Sequence, residues 1–290
     1  MALPPQTREE SFMQTSLGKH CYGKSDIILT GVTNGRLREM MVSVEIIGGM
    51  DEVFRDGDNR GLLPTTSMDN AAAALLHEHL NDPPEAFAAR LARELSVTCA
   101  ASVCKVEVSE IFWSPESSGY SVREFPERWG SIFVTAECCG PEQVILHAGY
   151  RSIGIFKPSG TSFTNFLRDS FTDAQDSQDR PVRGTVSITW RYKSSHGDHR
   201  ETGPLVRRAF LAAFTRHQGS SVQHSLHAAA SEAVHSSPYV DALTVDYESL
   251  DSAPVDLARF GRSSPNVVTR SWPLPRHRIS LTILAQDPES

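Results

Sequence analysis

The chain of 290 residues has no block of clustered Lys and Arg, and its formal net charge is −7. A face that follows nucleic-acid phosphates needs clustered cations, so no nucleic-acid partner is expected. No apolar run comes near the ~20 residues that cross a bilayer, so no membrane partner is expected. The opening MALPPQTREESFMQTS lacks an apolar core segment and does not read as a secretory signal. Residues 1–20 are expected to form a flexible tail. Cysteine is sparse: five in all, an odd number, with no Cys-x-x-Cys. The adjacent Cys138 and Cys139 make a strained disulfide pair, which leaves reduced thiols in a cytoplasmic protein as the expectation. No metal is expected either. Zinc ligand spacing is missing, and the i, i+2 spacing of His77 and His79 points the two imidazoles to different helix faces. What remains is 39% hydrophobic and 22% charged, the composition of a globular protein of one large or two ordinary domains.

Read in order, the pattern predicts a strand over 24–34, a hairpin turn at Asn34-Gly35, and a returning strand over 37–47. Thr65 or Thr66 reads as the N-cap of an alanine-rich helix over 68–80. A second helix follows, with Phe87, Leu91 and Leu95 as its apolar stripe. Strands are predicted over 103–113 and 131–137. The order then repeats: strands over 143–147, 153–157 and 185–192, helices over 204–217 and 220–235, and closing strands over 239–247, 267–270 and 278–284. The fold class is therefore α+β. Two tandem ββααββ units, 21–141 and 142–285, are expected to form two antiparallel sheets with helices on one face. A half-covered sheet of this kind needs a partner surface, which favours an oligomer. Residues 286–290 read as a tail. His196 and His199, in the polar run SSHGDHRETGP, are expected to be solvated.

The stretch from Ser159 to Arg180, SGTSFTNFLRDSFTDAQDSQDR, connects two strands where 2–6 residues would be usual. Phe163, Phe166 and Leu167 fall at i, i+3, i+4, one face of a short helix. Long connections of this kind carry function. The stretch resembles the signature of the urate oxidase (uricase) family, F-x-x-F-L-R-D-x-[FY]-T followed by D-R and a strand ending in TWRY. YGK (22–24), LPTTSMDN (63–70), SVQ (221–223) and VDLARFG (255–261) occur in that family's order, so the similarity extends from Tyr22 to Ile283.

The resemblance implies the tunnelling fold, a homotetramer with sites between subunits, and oxidation of urate by O₂ to 5-hydroxyisourate and hydrogen peroxide without a cofactor. It implies that Arg180 and Gln223 clamp the substrate, that Phe163 stacks on it and that Val222 offers a backbone amide. The residue types suit these tasks. A guanidinium is a planar fork of donors. A carboxamide matches an amide-like ring edge with one donor and one acceptor. Lys24 and Thr65 match the family's proton relay, in which a desolvated lysine acts toward a hydroxyl. Thr66 stands where the family usually has aspartate, Ser249 where it has the asparagine that helps fix the oxygen-binding position above the ring, Asp251 where it has histidine, and Ala174 where it has a leucine of the pocket wall. Asp251 is the candidate replacement for the imidazole.

Three functions compete at this stage. One is a uricase-like oxidase or oxygenase acting on urate or a related 8-oxopurine. Another is a homologue that binds a purine-like ring without ordinary urate oxidation. The third, a pterin-type cyclohydrolase, requires a Cys/His zinc site that His77, His79, Cys99 and Cys104 do not space correctly.

Overall fold

Buried and exposed residues alternate along the strands of this chain, and a bulge shifts the alternation at two equivalent places. The computed structural model describes residues 15–33, 36–99, 101–111, 113–115, 121–122, 131–140, 143–197, 199–250, 252–262, 268–271 and 276–286. The tails, the Asn34-Gly35 turn and Asp251 lie wholly or partly outside them.

Eight strands form one antiparallel sheet in chain order. They are β1 (Cys21–Thr33), β2 (Arg36–Ile47), β3 (Val103–Ile111), β4 (Ser131–Cys138), β5 (Val144–Lys157), β6 (Val182–Tyr192), β7 (Val240–Ser249) and β8 (Arg278–Leu284). The expected two sheets are joined into one. Strands β4 and β5 pair from Cys138–Val144 to Ser131–Arg151, and Gln143 N–H donates to Gly140 O. The helices are α1 (Asp51–Asp56), α2 (Thr65–Glu78), α3 (Pro84–Thr98), α4 (Thr202–Arg216) and α5 (Val222–Val234).

The two strands predicted over 143–147 and 153–157 are one strand, β5. Its alternation is broken by a bulge between Tyr150 and Ile153, where Ser152 takes φ 55° and donates its N–H to Ser187 Oγ at 3.1 Å. The same device occurs in β1 between Lys24 and Ile27: Asp26 takes φ 59° and donates its N–H to Ser43 Oγ at 3.2 Å. A bulge inserts an unpaired residue and re-aims the side chains beyond it. Lys24 in β1 and Tyr150 in β5 thus hold equivalent positions ahead of the bulge, opposite Val44 and Ile188.

The helices cover one face of the sheet. Phe87, Leu91 and Leu95 of α3 are buried as the stripe predicts, with Val106, Val108 and Val134 in the same core. In the second unit Phe210, Leu226 and Ala230 share that core with Ile188, Trp190 and Leu243, each fully buried. Truncating a buried Phe such as Phe87 to Ala costs about 3–5 kcal/mol. The opposite face keeps Ile28, Val32 and Phe156 exposed. His199, expected in solvent, is 2% exposed because its ring packs 4.2 Å from Tyr192 and 5.3 Å from Tyr239. His196 is exposed.

Candidate active site

The connection over 159–180 has no helix. Asn165 takes φ 57°, outside the helical region, and Asp169 Oδ1 accepts from Phe171 N–H at 3.0 Å, closing a turn instead. Phe163 bridges to Ser177, Phe166 stacks on Phe163 at 4.5 Å, and Leu167 and Phe171 stand 93% and 90% exposed. The helical spacing of those residues arises from a loop folded on itself.

The base of this loop gathers the predicted clamp. Asp179 Oδ1 accepts from Gly160 N–H at 2.6 Å, and Arg180 N–H donates to Thr161 O at 2.8 Å. Thr161 bridges to Gly219, and Ser162 N–H donates to Gly219 O at 2.9 Å. Three residues later α5 begins at Val222, with Ser221 Oγ accepting from His224 N–H as its N-cap. Arg180, Phe163, Val222 and Gln223 are therefore tied to one junction. Its closeness demands two glycines. Gly160 adopts φ +84°, and a Cβ at Gly219 would lie 2.1 Å from Ser225 Oγ. The Arg180 guanidinium carbon lies 4.6 Å from the centre of the Phe163 ring. Val222 is half-buried and Gln223 is exposed.

Several groups at this junction carry no signal in the sequence. Lys157, 4% exposed, donates to the carbonyls of Gly160 and His217, and burial lowers its pKa from the ordinary value. The His217 and His224 rings meet edge to face at 4.6 Å. Burial, and then the neighbouring His224, lower the His217 pKa. Thr161 Oγ1 is buried with no hydrogen-bond partner among the described residues. Ser249 ends β7, where its Oγ accepts from His277 N–H at 3.0 Å. Asp251 lies outside the described residues.

Lys24 and Thr65 lie elsewhere. Thr65 is the first residue of α2 and its N-cap is Pro64, so neither Thr65 nor Thr66 caps the helix; Thr65 is half-buried and Thr66 exposed. Pro64 itself is extended, with φ −59° and ψ 143°, and the helix starts directly after it. Asp69, one turn after Thr65 on the same helix face, forms an ion pair with Lys24. Its other oxygen, Oδ1, is buried without a hydrogen-bond partner among the described residues. The lysine is thus the cationic half of a pair beside the threonine, which sequence reasoning did not foresee.

Strand β1, which carries Lys24, and β6, which Arg180 leads into, stand five strand spacings apart in the sheet. At ~4.8 Å per spacing this is about 24 Å, so one chain cannot bring both groups to one small ring. Among the described residues no three His, Cys, Asp or Glu side chains are grouped to hold a metal ion.

Known proteins resemble this chain in sequence and in fold. The Uricase family model matches residues 146–271, the span that contains Phe163, Arg180, Val222, Gln223 and Ser249. The uricase of Arthrobacter globiformis is 25% identical over 279 residues, covering 92% of this chain and 89% of that protein. The chain resembles uricases along most of its length. The uricase of Danio rerio is 23% identical, with 94% of each chain covered. The crystal structure of the Arthrobacter globiformis uricase superposes with a TM-score of 0.86 over 96% of this chain and 99% of that one, at 22% identity. A uricase from Bacillus fastidious gives a TM-score of 0.76 over 91% and 93%. The fold is the α+β tunnelling fold of uricases.

Proposed function

We propose that this chain is a uricase-type oxidase that binds urate, or a closely related oxopurine, at the boundary between two copies of itself. One copy supplies Arg180, Gln223 and the Val222 amide to the polar edge of the ring, with Phe163 against its flat face. The ring takes the place that the guanidinium holds against Phe163, and the guanidinium moves to the ring's edge, where a bidentate pair forms. The other copy supplies Lys24 and Thr65, with Thr66 beside them. Urate gives two electrons to O₂ and takes up water: urate, O₂ and H₂O yield 5-hydroxyisourate and H₂O₂. The protein assists by holding the urate anion and by accepting and returning protons through Lys24 and Thr65. Ser249, and Asp251 in place of an imidazole, complete the oxygen side. A homotetramer acting in the cytoplasm in purine metabolism fits the five free cysteines.

The observation that carries this reading is the separation of the two half-sites. The clamp residues meet at one junction, while the lysine–threonine pair lies about 24 Å along the sheet and can complete the site only from another copy. A second reading, capture of the ring without oxidation, is favoured by Ser249, whose oxygen already accepts from His277 N–H. Oxygen uptake with peroxide detection, run on urate and 8-oxopurines, separates the two. The oxidase reading expects one peroxide per O₂ with urate. Tight urate binding with no oxygen uptake would overturn it in favour of capture, and no binding would overturn both.

A further inference from the structure

The two units of the chain meet in a cleft that repeats, inside one subunit, the arrangement proposed between subunits. Its walls contain Arg38, Glu85, Glu110, Tyr150, Arg200 and Gly203, and it encloses about 450 Å³. Ligand pockets begin at about 300 Å³, so a bicyclic ring fits.

The correspondence can be traced residue by residue. Gln223 is the second residue of α5, and Glu85 is the second residue of α3. Thr65 opens α2, and Thr202 opens α4. Lys24 and Tyr150 precede the two matching bulges. Ser249 lies two residues beyond Tyr247, the partner of Val186, and Glu110 lies two beyond Val108, the partner of Val42. Arg38 departs from the correspondence: it lies four residues before Val42, as Val182 lies four before Val186, so it has no counterpart in the clamp. Apart from Arg38, each half of the cleft has the same architectural origin as its counterpart in the site between subunits.

The chemistry differs in one decisive place. Glu85 is 3% exposed, and its Oε1 accepts from the Tyr192 hydroxyl at 2.8 Å. A buried carboxylate is retained only where donors satisfy it. Gln223 offers one donor and one acceptor, whereas a carboxylate offers acceptors alone. Arg38, in the same unit as Glu85, is committed to Glu110 at 2.7 Å and to the carbonyls of Leu80 and Asp82. The wall is thus rigid and preformed.

We propose that this cleft is a second binding site, one per chain, for a heterocycle whose edge presents two adjacent N–H donors. A guanine-type ring, with its N1–H and 2-amino group, is that class. Glu85 receives the two donors, Tyr150 forms the wall, and Arg200 at the mouth faces the carbonyl side. The site is separate from the oxopurine clamp and does not depend on the function proposed for it.

Calorimetric titration of the full chain with guanosine and xanthosine tests the assignment, using wild type, Glu85→Gln, Tyr192→Phe and Arg180→Ala. Guanosine is expected to bind one site per chain and xanthosine at least 10-fold more weakly. Glu85→Gln should weaken guanosine at least 10-fold. Arg180→Ala should leave it unchanged, and Tyr192→Phe, which keeps the carboxyl, should change it less than 3-fold. Thermal melting confirms that each variant is folded. No guanosine binding, binding that Glu85→Gln leaves intact, or binding lost with Arg180→Ala would each overturn the proposal.

Discussion

Mixing two inactive variants should restore about a quarter of the wild-type activity. Lys24→Met removes the amine from one half-site, and Arg180→Ala removes the guanidinium from the other. Within a chain Lys24 lies in β1 and Arg180 just ahead of β6, five strand spacings apart or ~24 Å, so neither variant can repair itself. Alone, each should lose at least 100-fold, since a lost charge-assisted contact to a buried anion costs about 3 kcal/mol. In an equal mixture, half of all clamps carry Arg180 and half of all neighbouring chains carry Lys24. The two draws are independent in a symmetric oligomer, so about one site in four is intact. The variants are co-expressed or refolded together, mixed oligomers are verified by native mass spectrometry, and oxygen uptake with urate is recorded. A mixture no more active than its components, with mixed oligomers present, would refute the shared site. Recovery well above one half would refute the independence of the two half-sites.

Other outcomes follow from the same geometry. Arg180→Lys should bind urate at least 10-fold more weakly than wild type, because an ammonium cannot reproduce the planar fork; equilibrium binding measures this. Asp69→Asn should lower kcat about 10-fold and change urate affinity less than 2-fold, since Asp69 acts on Lys24 and not on the ring. The Lys24–Asp69 pair is about one-third exposed on both sides, so chemical denaturation should show a stability loss of no more than ~1 kcal/mol. The pKa of His217 is lowered in the fold, so its stabilising contribution is complete above its ordinary value of 6.5 and is lost as pH falls below it. Thermal melts between pH 7.5 and 5 should therefore show a decline that His217→Asn reduces.

Much of the architecture was legible because burial on one face of a sheet forces alternation, and helices facing it need an apolar stripe. Val182 to Tyr192 and the Phe87, Leu91, Leu95 stripe show this directly. The misreadings have local causes. The bulge at Ser152 interrupts the period of two, and β5 therefore read as two strands. Phe163, Phe166 and Leu167 mimic a helical face, but Asn165 in the left-handed region and the turn at Asp169 direct the chain otherwise. The proposed clamp was visible as residue types in a familiar order. Its junction depends on the Thr161–Gly219 bridge, a contact between residues 58 positions apart that no local pattern encodes. Asp69 was hidden for the same reason: its partner lies 45 residues away, although its i+4 spacing from Thr65 was available. Glu85 reads locally as an ordinary acid in a helix's first turn, where the helix dipole favours it. Its burial emerges only when the two units are packed together.

The central claim is that one chain grips the ring and another completes the site, and a crystal structure of the protein with urate under anaerobic conditions tests it most directly. The account predicts the ring against Phe163, its polar edge on Arg180 and Gln223 of one chain, and Lys24 and Thr65 of a second chain on the far side. Urate seated away from Arg180, or enclosed by residues of a single chain, would contradict it.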